Sequence, residues 1–61
     1  MDPDANLAQQ RMLAARIMRL TDADKIDHDA ITHAAGRLAE LVDALDTWIV
    51  RGGAMPARWA R

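Results

Sequence analysis

The chain has 61 residues, a net charge of −1, no cysteine and no serine, and its only aromatic residues are Trp48 and Trp59. That length allows one small core at most, and the missing residue types exclude disulfide staples, thiolate metal sites and the usual nucleophiles. The near-neutral charge argues against strong attraction to nucleic acid or to an acidic membrane surface.

The first predicted element is a helix over residues 3–20. Asp2 is placed to cap its free amides, Pro3 suits the first helical position, and Asp4 favours the positive end of the helix dipole. At about 100° per residue, Leu7, Leu13, Ala14, Ile17, Met18 and Leu20 fall on one broad arc. Arg11, Arg16, Arg19 and Gln9 fall on the other side, with Arg16 and Arg19 near the negative end of the dipole. This arginine-rich segment precedes an acidic one containing Asp22, Asp24, Asp27 and Asp29. The simpler reading is that neighbouring segments of a hairpin neutralise each other.

Residues 21–27 interrupt the apolar pattern and read as a polar connection. Asp27 is the expected cap of a second helix over residues 28–51, although Thr21-Asp22-Ala23-Asp24 also has the form of an earlier capping box. In the second helix Ile31, Ala34, Ala35, Leu38, Leu41, Val42, Leu45, Trp48 and Ile49 recur in steps of three and four. Asp29, His33, Arg37, Glu40, Asp43, Thr47 and Arg51 occupy the opposite face. Gly36 lies on that polar face, either as an indifferent surface position or as a point of close backbone approach.

The short connection predicts an antiparallel helical hairpin, an all-α fold in which residues 1–61 form a single domain. Each apolar arc is wider than one helix–helix seam needs, so two hairpins are expected to dimerise into a four-helix bundle, the alternative being a heterologous partner over the same stripe. The expected seam is Leu13, Ile17, Leu38, Leu41, Leu45, Trp48 and Ile49. Gly52-Gly53 should end the second helix in a Schellman-type reversal, and Pro56 prevents its resumption. The tail is then expected to fold back, with the tryptophans acting as a structural cap first and a binding surface second. Met55, Arg58 and Trp59 form the candidate partner surface.

Chemistry is sparsely represented. Asp29 and His33 have a spacing that can clamp a metal, but the segment from Asp22 fails the calcium-loop pattern, and two histidines without an HExxH arrangement are a weak zinc signal. No cofactor or metal is expected. The glycine pair follows a helix, so it offers no phosphate cradle. Arg11, Arg16 and Arg19 are candidate nucleic-acid contacts for an alternative reading as a small DNA-associated regulator. A third class, an antitoxin-like or inhibitor role, would require a free chain that folds on its partner. No stretch approaches the ~20 apolar residues of a membrane span, and the acidic start does not resemble a signal peptide, so a cytoplasmic location is expected.

The residues Leu38-Ala39-Glu40-Leu41-Val42, Ala44-Leu45-Asp46, Trp48-Ile49, Arg51-Gly52-Gly53, Met55-Pro56 and Trp59 carry a resemblance. With Asp2-Pro3 and the amphipathic first helix, they resemble a group of short, mostly uncharacterised proteins of actinobacteria and their phages. The tail departs from that group at Ala54, where an aromatic residue would be expected. The resemblance brings no activity with it. A phage origin would imply a small accessory protein that binds a host protein in the host cytoplasm. The residues themselves read as a non-enzymatic, self-associating hairpin that acts through protein contacts.

Overall fold

A computed structural model describes residues 1–60. Two long helices, α1 (Pro3–Thr21) and α2 (His28–Val50), are followed by a short 3₁₀ turn (Ala57–Trp59), and there is no strand among the described residues. The helices pack against each other as a hairpin measuring 42 × 21 × 13 Å, with a radius of gyration of 13.5 Å. A chain of this length packed as a globule would have a radius near ~10.5 Å. The difference reflects two helices lying side by side with no second layer of long elements above them.

Both helices start where their caps dictate. The Asp2 carboxylate accepts from the Ala5 amide at 3.1 Å, and the Asp27 carboxylate accepts from the Ala30 amide at 3.0 Å. Each satisfies one of the amides left open in a first turn. The alternative capping box at Thr21 is not used. Thr21 is the last residue of α1, and its hydroxyl donates back to the Met18 carbonyl at 3.0 Å.

Two cross-helix hydrogen bonds, one of them braced from within α1, define the register. The Asn6 amide nitrogen donates to the Leu41 carbonyl at 3.0 Å, and the Asn6 oxygen accepts from Gln10 at 2.7 Å. Arg37 donates to the Gln9 side chain at 3.4 Å. Around these bonds lie Leu7, Ala34, Leu41 and Leu45, the buried apolar residues of the helices, with Asn6 buried among them. In this register α2 outruns the start of α1 by about 9 Å, at 1.5 Å per residue.

The expected apolar arcs are real, but they are only partly covered. Leu41 and Leu45 are buried, while Leu13, Ile17, Leu38, Trp48 and Ile49 are half-buried. Met18, expected on the inner arc, is 70% exposed, and Val42 is 48% exposed. Ala35 is exposed as well. A single neighbouring helix covers only the middle of so wide a stripe, so residues at its flank remain in water.

Gly36 has open space where a Cβ would stand, so it marks no close approach. Gly36→Ala should therefore raise stability by about 1 kcal/mol, because only helix propensity changes. Asn6→Ala should lower it by about 1–3 kcal/mol by removing a buried cross-helix bond and leaving Gln10 without its partner. The shift of the urea midpoint at constant slope checks both.

Candidate functional site

The end of α2 is a reversal built from four consecutive peptides. Gly52 takes φ +93°, the left-handed region that glycine enters without a Cβ penalty. Its amide donates to the Ile49 carbonyl at 3.0 Å, and the Gly53 amide donates to the Trp48 carbonyl at 2.8 Å. These are the two bonds of a Schellman motif. The expectation drawn from Gly52-Gly53 is met in detail.

The second glycine serves a different purpose. A Cβ at Gly53 would fall inside the Trp48 indole. With that space open, the ring lies directly against the reversing backbone, and its N–H donates to the Ala54 carbonyl at 2.9 Å. From there Pro56 is fully buried, and the Ala57 amide donates to an Asp4 carboxylate oxygen at 2.6 Å. The tail is thus tied once to the end of α2 and once to the first turn of α1. Asp4 serves the helix dipole and the tail together.

The two tryptophans consequently play different parts. Trp48 is half-buried and clamps the reversal. Trp59 is 48% exposed and forms one wall of an open groove of about 190 Å³, whose other lining includes Gln10, Val42, Leu45 and Ile49. Met55 is 57% exposed, and Arg58 is exposed. These three tail residues remain accessible, and of them Trp59 lines that groove.

Helical geometry divides the hairpin into two sides. Taking Leu41 and Ala34 as the direction of α1, the ~100° step per residue puts Leu38, Ile31, Ile49, Val42 and Ala35 on one flank of α2. Ala14 and Met18 join that flank from α1. The opposite flank carries Arg37, His33 and Asp29 from α2, with Leu13 and Arg16 from α1. There they line an open groove of about 520 Å³. Arg37 also meets Glu40 at 3.3 Å, an exposed pair that adds little stability.

The arginines do not form one stripe. Arg16 lines the polar groove. Arg11, about 140° away around α1 at 100° per residue, stands beside the apolar flank, and Arg19 points between the two. All three are exposed. Asp29 and His33 share their groove with two guanidinium groups, which repel a metal cation, and no cluster of three or more metal-ligating side chains occurs among the described residues. No helix among the described residues is long and apolar enough to cross a membrane.

Sequence reasoning passed over Asn6. The available signal was an Asn6–Gln10 pair in register with Leu13 and Ile17, a polar couple at the head of an apolar stripe. No protein-family model matches the chain, and no curated protein or solved structure matches it either.

Gly53→Ala should lower the thermal midpoint by several degrees, since the added methyl must push the Trp48 ring off the backbone. In Trp48→Ala the collision is gone, so the same glycine substitution should cost far less. A double-mutant cycle followed by circular dichroism measures this coupling.

Proposed function

We propose that this protein is a small, non-enzymatic protein-interaction module whose working surface is the apolar flank of the hairpin. The observation that supports this most directly is the row of aliphatic side chains gathered on this flank, while Met12 and Val50 are exposed singly on the outer faces of the helices. Val42 and Met18 stand in water on the same flank as the half-buried Ile31, Leu38 and Ile49. Contiguous apolar surface of this kind, bordered by polar residues, is characteristic of a surface that binds another protein. Hydrophobic burial would supply most of the association energy, at roughly 25 cal/mol per Å² of apolar area covered before ordering costs.

The polar flank has a different character. Its groove is shallow in chemistry, with exposed guanidinium, imidazole and carboxylate groups over an alanine and leucine floor. The arginines are spread over too much of the α1 circumference for one phosphate-tracking stripe, so the nucleic-acid reading draws little support from their placement. The resemblance to small actinobacterial and phage proteins adds the setting of an accessory factor in a bacterial host.

A photo-crosslinking residue at Val42 should give protein adducts in the producing cell, whereas the same residue at Glu40, on the polar side, should not. Equal labelling from both positions, or none from Val42, would overturn the reading.

A further inference from the structure

We infer that the occupant of the apolar flank is a second copy of this chain, packed along a heptad seam on α2. The inference rests on the protein-interaction reading and identifies its partner. Ile31, Ala35, Leu38, Val42, Leu45 and Ile49 are separated by steps of four, three, four, three and four. That is an uninterrupted a/d pattern, with Ala, Val and Ile at one position and Ile, Leu and Leu at the other.

This seam is distinct from the contact with α1. The residues aimed at α1 are Ala34, Leu41, Leu45 and Trp48, rotated from the heptad row by roughly 60–80° at 100° per residue. Only Leu45 is buried by serving both rows. A helix with two such rows has two helical neighbours, the condition met in a four-helix bundle and not in a lone hairpin.

The chain as a whole leaves more surface in water than a compact monomer of its mass, by an amount that a second copy would cover. A monomer of 6.8 kDa is expected to present about 3,950 Å² of accessible surface. This chain presents 4799 Å². The excess, roughly 850 Å², is close to the ~800 Å² that each partner contributes to a standard stable interface.

A two-fold interface sets each point of the row against the point equally far beyond its midpoint. The heptad row runs from Ile31 to Ile49, so its midpoint lies at residue 40. The half-exposed Trp59 projects on one side of this midpoint, beside Val42 and Ile49. At a matching distance on the other side lies the exposed Ala35, with the half-buried Ala14 on α1. An antiparallel two-fold docking therefore brings the Trp59 end of one copy to the small side chains of Ala35 and Ala14 on the other.

Sedimentation equilibrium of the full chain, with circular dichroism on the same samples, tests this. The wild type should be dimeric at micromolar concentration. Val42→Lys puts a charge in the seam, and Ala35→Trp puts a bulky ring at its small-residue position. Both sites are exposed in the hairpin, so the variants should keep their helical spectrum while dimerisation weakens by at least about 100-fold. Glu40→Gln, on the polar side, should leave it unchanged. A wild type that stays monomeric at millimolar concentration, or a dimer insensitive to both substitutions, overturns the inference. If a monomer still gives adducts to another protein from Val42, the interaction reading stands and only the second copy falls. A monomer with no adducts removes both.

Discussion

The hydrogen bond from Asn6 to the Leu41 carbonyl fixes the relative position of everything else. It lies inside the small cluster of Leu7, Ala34, Leu41 and Leu45, where an unpaired amide would be costly. Apolar contacts alone would tolerate α1 sliding along α2, because the alanine-rich stripe looks similar from one turn to the next. A donor that must find one carbonyl does not slide. With that register set, Asp4 stands level with the tail, Gln9 reaches Arg37, and α2 extends past α1 far enough to need a cover.

The tail provides that cover through two glycines with separate duties. Gly52 supplies the left-handed turn, and Gly53 leaves the volume that the Trp48 ring occupies. Neither could exchange roles, since one is a matter of backbone angle and the other of side-chain space. The short core is thereby closed at one end by Pro56, Trp48 and a bond to Asp4 instead of by a third helix. Its long side stays open, and this is the face to which we assign partner binding.

Much of this was legible from the residues, and the limits have a physical origin. Helix ends at Asp2, Asp27 and Gly52 were readable because caps and left-handed turns are local, each determined within four residues. The stripe on α2 was readable from its period, but a period gives only the width of an arc. Which part of the arc a neighbour covers depends on the helix crossing, so Met18 and Val42 appeared as inner residues and lie outside. The same reason hid the division of labour between Trp48 and Trp59, which depends on the path of the five residues between Gly53 and Trp59. Asn6 was missed for another reason: a lone polar residue on an apolar face reads as noise until the facing carbonyl is known.

The tail bond between Asp4 and Ala57 joins residues 53 positions apart, whereas the helices are built from contacts within a turn. Closing so long a loop comes late in folding, after local structure has formed and α1 has met α2. It is also the cheapest part to reopen, since its loss exposes one proline and two hydrogen bonds while both helices persist. Amide exchange at Ala57 should then proceed through a brief local opening, much faster than exchange at Leu45. The hairpin thus carries a terminal segment with its own clock, and the time Trp59 spends against Val42 and Ile49 is governed by that opening and not by global unfolding.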